Sequence, residues 1–172
     1  MTVKRSAIVI VLFLLVFGIS SVAVAEMHTH GKDGCPFCGM EKEKFGHTWM
    51  TIEYDDGSKV GFCSIHCAAI DLATKIDKTP VKIEVGDYVS KKQVDAEKAS
   101  WVIGGNKPGV MSKRAKWAFG KKADAEAFIK ENGGTLAFFD EAMKAAYEDM
   151  YGDTKMIRDK RKTMKMKKME YK

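Results

Sequence analysis

An α+β fold built from two small related lobes is the architecture the sequence predicts, and three observations predict it. Residues 48–63 alternate apolar and polar side chains on either side of an Asp55-Asp56-Gly57 turn, the pattern of a β-hairpin. A helical stretch from Ser64 and a strand beginning at Pro80 follow. The same order of strand, strand, helix, strand then recurs between residues 100 and 138.

Each element has its own local reason. Thr48-Trp49-Met50-Thr51-Ile52-Glu53-Tyr54 alternates as a half-buried strand does, and Lys59-Val60-Gly61-Phe62-Cys63 resumes the extended run after the turn. Ser64 is a suitable N-cap for a helix that carries Cys67, Ile70, Leu72, Ala73 and Ile76. Pro80 with Val81, Ile83 and Val85 starts the next strand. In the second half, Ser100-Trp101-Val102-Ile103 and Ala115–Gly120 read as strands. Ala123–Asn132 reads as a helix closed by Gly133-Gly134, and Thr135–Phe138 as a strand. Phe62 before the first helix corresponds to Phe119 before the second, which suggests a topological duplication with lobes at 35–90 and 91–151. Asp140–Met150 makes a closing helix. From Gly152 the chain turns to Lys, Arg and Met with hardly any apolar periodicity, so 152–172 is expected to be a disordered basic tail.

The N-terminus predicts export. Lys4 and Arg5 precede an apolar run from Ala7 to Phe17, and Ala23-Val24-Ala25 is the small-x-small pattern of a signal peptidase site. The run is short for a membrane span of about 20 residues. Residues 1–25 are therefore expected to be a secretory signal, 26–34 a flexible mature N-terminus, and the product a soluble periplasmic or otherwise extracytoplasmic protein. No cysteine adjoins the signal, so lipidation is not expected.

Charge narrows the function classes. The chain has 29 basic and 23 acidic residues, but Gly152–Lys172 alone holds nine basic and three acidic ones. The basicity thus belongs to the tail. A nucleic-acid footprint would place it on a folded surface among aromatics, so no nucleic-acid partner is expected, and the tail instead suits an acidic partner or an anionic surface.

All four cysteines lie between residues 35 and 67, as Cys35-Pro36-Phe37-Cys38-Gly39-Met40 and Cys63-Ser64-Ile65-His66-Cys67. Cys35 and Cys38 can pinch one metal, close a small disulfide or form a glutaredoxin-like redox site. Redox sites of that kind follow a strand and open a helix, whose N-terminus lowers the thiol pKa; no strand precedes Cys35, and Gly39 opposes a helix there. Cys63 and Cys67, one helical turn apart, can present both sulfurs to one point, although Cys67 could equally be a small buried hydrophobe beside Ile70. His66 is either a ligand or a solvent-facing residue. Two cysteine pairs separated by a hairpin also fit a structural zinc site.

Methionine favours copper over zinc. Met40 lies two residues beyond Cys38. Met111 sits in a loop after Gly104-Gly105-Asn106-Lys107-Pro108-Gly109-Val110, where an exposed thioether has no core to fill, and thioethers suit Cu(I). Met156, Met164, Met166 and Met169 punctuate the tail, and a mature Glu26-Met27-His28 start could hold divalent copper through amine, amides and imidazole.

Together these residues resemble the NosL family, copper-binding accessory proteins of nitrous oxide reductase maturation. The resemblance runs from about Cys35 to Met150 and is carried by Cys35-Pro36-Phe37-Cys38-Gly39-Met40, the Tyr54-x-x-Gly57 turn and Phe62-Cys63-Ser64. It continues through Trp101-Val102-Ile103-Gly104-Gly105, Met111, Ala118-Phe119 and Phe128. It implies paired α+β lobes, Cu(I) held by cysteine with methionine or histidine help, and delivery of copper to a maturation protein or copper enzyme. This chain departs from the family in lacking a lipidation cysteine and in following Met111 with Ser112-Lys113-Arg114. The sequence reading is accordingly an exported Cu(I) carrier, not an enzyme, with Cys35, Cys38, Met40, Cys63, His66, Cys67 and Met111 as candidate ligands. The alternatives are an exported thiol oxidoreductase or a structural zinc-binding interaction module.

Overall fold

The computed structural model describes residues 34–170. The expected signal segment, the expected cleavage site near Ala25 and the expected copper-binding Glu26-Met27-His28 start lie outside the described residues.

A four-residue helix α1 (Lys42–Phe45) leads into the hairpin β1 (Met50–Tyr54) and β2 (Lys59–Phe62). Helix α2 (Ile65–Thr74) and strands β3 (Pro80–Gly86) and β4 (Gln93–Asp95) complete the first half. The second comprises β5 (Ser100–Ile103), β6 (Lys116–Phe119), α3 (Lys122–Asn132), β7 (Thr135–Ala137) and the long helix α4 (Phe139–Glu170). The predicted α+β class and both ββαβ units are present.

The duplication is visible in strand order. The first sheet runs β2-β1-β3-β4 and the second β6-β5-β7, antiparallel throughout, so each places its second strand, first strand and third strand side by side. Phe62 and Phe119 end equivalent strands, and both are fully buried. Strand β4, which sequence patterning missed, pairs with β3 and carries the first sheet past residue 90, so the junction between lobes falls later than expected.

Alternation sends Met50, Ile52 and Tyr54 of β1 inward, where they join Phe62, Val85 and three cysteines in the main core. Each such apolar side chain contributes about 1.5–3 kcal/mol of burial. Sheet β6-β5-β7 has two apolar faces. Trp101 and Ala118 face the main core, whereas Val102, Trp117 and Phe119 pack with Phe128 of α3. Trp101 donates its indole N–H to the Ala96 carbonyl at 2.9 Å, and its ring lies 5.9 Å from that of Phe139. The halves therefore share a core. Gly86 permits β3 to pass the α1–β1 connection, since a Cβ there would lie 1.8 Å from the Gly46 carbonyl oxygen.

Helix α4 corrects the expected disordered tail. It continues through Gly152 to Glu170, with Phe139, Ala142, Ala145, Ala146 and Asp153 buried along one stripe. Met156 and Ile157 are half-buried, and every residue from Arg158 to Glu170 is exposed. Low apolar periodicity predicted disorder, but beyond Gly152 no Gly or Pro interrupts a stretch dominated by Lys, Arg and Met, all strong helix formers. Asp153, hidden in a charged context, then anchors the extension by accepting the Lys113 backbone N–H at 2.9 Å. No helix among the described residues is long and apolar enough to cross a membrane.

The boundary of the folded unit follows from this stripe. A chain ending before Gly152 loses the bond between the Lys113 N–H and Asp153, at a cost of about 1–3 kcal/mol, or a Tm drop on the order of 10 °C. A chain ending after Lys162 should melt like the full chain, because every described residue that is removed is exposed. Equal melting of both truncations would show that Asp153 holds nothing.

Candidate metal centre

The four cysteines converge. Cys35, Cys38, Cys63 and Cys67 place their sulfurs within 4.8 Å of one another. Cys38 Sγ lies 3.4 Å from Cys63 Sγ, and Cys63 Sγ lies 3.6 Å from Cys67 Sγ. Sulfur–metal bonds of 2.3 Å in a tetrahedron would set the sulfurs about 3.8 Å apart, so small adjustments would close this cluster on a soft ion.

Two local structures deliver the thiols. The first is a tight knuckle in which the Gly39 N–H donates to the Cys35 carbonyl at 2.8 Å and the Cys35 N–H to the Met40 carbonyl at 2.9 Å. Gly39 takes a φ of +76°, which a side chain would strain, and Gly34 bridges to Glu41 across the base. The cysteine pair thus sits in a turn, without the helix that a redox pair would open. The second is the passage from β2 into α2, where Cys63 follows the strand and Cys67 lies on the first helical turn. Ser64 is the N-cap by position, with extended backbone, although its hydroxyl makes no capping bond. Thr48 fixes this corner by donating its hydroxyl to the Cys63 carbonyl at 2.8 Å.

Burial and proton sharing make the thiols unequal. Cys35, Cys63 and Cys67 are fully buried, whereas Cys38 is half-buried beside the exposed Phe37, whose ring stacks on Phe62. Hydrogen bonding from Cys38, then Cys63 and Cys67, holds the Cys35 thiol far below the usual thiol range, with the Cys63 backbone contributing. The same contact with Cys35, then Cys38, pushes Cys63 and Cys67 upward, and burial adds to both. The neighbours' S–H groups therefore favour the thiolate form at Cys35. A metal would displace the remaining protons, so affinity should fall as pH is lowered.

Of the other sequence candidates, Met40 adjoins the knuckle through its carbonyl, which accepts the Cys35 N–H. His66 is neither solvent-facing nor within the four-thiol group: it is buried, and its Nδ1 faces Asp153 Oδ2 at 3.9 Å, too far for a hydrogen bond. Burial pushes its pKa down against the opposing pull of Asp153, which keeps the imidazole neutral. Met111 corrects the expectation of an exposed loop thioether, because it is half-buried and, like Met40, packs against the main core.

The Met111 loop is strapped to α4 by residues that sequence reasoning passed over. Met111 has a φ of +59°, unusual for a side-chain-bearing residue. Immediately after it, Lys113 N–H donates to Asp153 and Arg114 pairs with Asp149 and Glu148 at 2.8 and 3.1 Å. Buried Lys116 donates to Asp149 at 2.7 Å and to the Arg114 carbonyl at 2.9 Å. The acidic members sit on α4 as the adjacent Glu148 and Asp149 and, one helical turn on, Asp153, a spacing that only a continuous helix makes meaningful.

The NosL family profile matches residues 26–147. The chain belongs to the NosL family. The crystal structure of the copper chaperone NosL from Shewanella denitrificans shares its fold with a TM-score of 0.54 at 26% identity, covering 64% of this chain and 89% of that one. No curated protein matches it in sequence. With this membership the expectation of a non-catalytic NosL protein holds, and the Ser112-Lys113-Arg114 departure acquires a structural role as the strap.

The unequal burial has a direct chemical readout. In the reduced, metal-free protein, iodoacetamide followed by mass spectrometry should label Cys38 first, and Cys35, Cys63 and Cys67 only on unfolding. Equal labelling of all four in the native state would contradict the buried arrangement.

Proposed function

We propose that this chain is an exported Cu(I) carrier that serves maturation of a copper enzyme, with nitrous oxide reductase as the client its family resemblance implies. The observation that carries this reading is the four-thiol cluster, closed on three sides and open at Cys38, in a member of a family whose solved relative is a copper chaperone. Export rests on the basic, apolar and small-x-small pattern of residues 1–25.

Transfer would proceed by ligand exchange. Thiolates hold the soft ion, and the partly exposed Cys38 sulfur is the edge at which an incoming donor replaces a bond. No free ion is released when each bond broken is matched by one formed. The turn geometry of Cys35 and Cys38 speaks against the thiol oxidoreductase alternative.

Zinc is the second reading, favoured by one feature, the near-tetrahedral spacing of four sulfurs. Ion preference separates the two. Purified anaerobically and challenged with bathocuproine or a zinc chelator, the full chain should retain Cu(I) more tenaciously than zinc. Cys38→Ser should weaken Cu(I) retention at least about tenfold, or about 1.4 kcal/mol, with little change in Tm because Cys38 is half-buried. Cys35→Ser is a poorer probe, since Cys35 is fully buried in the core. Met111→Leu should produce a smaller loss for Cu(I) and none for zinc if its thioether assists. Stronger retention of zinc, with Cu(I) readily stripped, would replace the carrier by the structural zinc module.

A further inference from the structure

Beside the thiol knuckle lies a groove of about 650 Å³ whose floor is apolar and whose rim is cationic. Its apolar lining comprises Met40, Phe45, Val110 and Met111 together with Met156 and Met164 of α4. Lys113, Lys160 and Arg161 stand along the rim, and no carboxylate lines it. A shallower continuation along α4 adds Lys167 and one acid, Asp159, which is paired with Lys155 at 2.7 Å. The α4 wall lies beyond residues 26–147, the span matched by the family.

We propose that this groove docks an acidic, amphipathic segment of a partner protein, apolar side chains on the methionine floor and carboxylates against Lys113, Lys160 and Arg161. This inference extends the carrier reading by giving the copper-receiving partner a landing surface next to Met40, two residues from Cys38. The charges select the occupant. Three cations around the thioethers oppose residence of another cation, so the methionines serve better as an adaptable apolar floor than as a second metal site. A second copy of this chain would bring the basic face of α4 against itself. A concave groove with an apolar floor fits inserted side chains, whereas a headgroup layer meets flat or convex faces.

The test uses the full chain without metal, under reducing conditions, and a fluorescent amphipathic helical peptide with leucines on one face and glutamates on the other. Fluorescence anisotropy should show binding that weakens as salt rises. Lys160→Glu with Arg161→Glu should weaken it about tenfold, or about 1.4 kcal/mol. Met164→Asp should do likewise; Met164 is 63% exposed, so the substitution leaves the core intact. Lys121→Glu with Lys122→Glu, at the start of α3, should leave binding unchanged. The inference is overturned if a lysine-faced peptide binds as well, if the α3 reversal weakens binding equally, or if the acidic peptide fails to bind. Binding to phosphatidylglycerol vesicles that the groove variants abolish, with no peptide binding, would assign the face to membranes instead. Chelator competition on the same groove variants should show unaltered Cu(I) retention, which separates failure of the docking surface from failure of the carrier reading.

Discussion

The meeting of two cysteine pairs at one point is the constraint on which the rest of the structure depends. Cys35 and Cys38 lie before the first hairpin, Cys63 and Cys67 after it, and only the pairing of β1 with β2 returns the chain to its start. The Met50–Phe62 register and the Thr48 bond to the Cys63 carbonyl set that return. A one-residue slip would turn Met50, Ile52 and Tyr54 out of the core and carry Cys63 away from the knuckle. The cluster is thus not an addition to a finished fold: Cys35, Cys63 and Cys67 are themselves members of its main core. Three thiols are kept from solvent by the packing that stabilises the lobe, and the fourth is left at the edge.

The second lobe holds no thiols, yet it bears on the site. Its sheet supplies Trp101 and Ala118 to the shared core, and its β5–β6 connection carries Met111 and the strap. Helix α4 joins these parts. Its buried stripe covers the first lobe, its acids at 148 and 149 hold Arg114 and Lys116, and Asp153 reaches the Lys113 backbone while facing His66 between two cysteines. The Cys63–Cys67 corner and the Met111 loop are therefore referenced to one rigid element.

Much of this was legible in the sequence. Hydrophobic periodicity, turn residues and the Gly133-Gly134 stop placed six strands and three helices, the last of them too short, and the recurring order revealed the duplication. The cysteine spacing marked the site, because thiols that meet through a hairpin still appear as two short motifs. What was not legible depended on tertiary context. Strand β4 is three residues long and visible only through its pairing with β3. The α4 extension has little apolar period because it is anchored by a buried carboxylate, and no local pattern distinguishes Asp153 from the solvated charges around it. Met111 reads as an exposed loop residue until its packing against the main core is seen. His66 looks like a fifth ligand from its place between cysteines, yet the helix turns its ring toward Asp153.

The central claim is that the thiols form the metal-binding centre and His66 stands outside it. X-ray absorption at the copper K-edge, on the full chain loaded anaerobically with one equivalent of Cu(I), tests that claim most directly. The account predicts a first shell of sulfur alone, without the multiple-scattering features of imidazole, and the same spectrum for His66→Gln. A shell containing histidine nitrogen that disappears in His66→Gln, or a spectrum unaltered when Cys38 is replaced by serine, would contradict it.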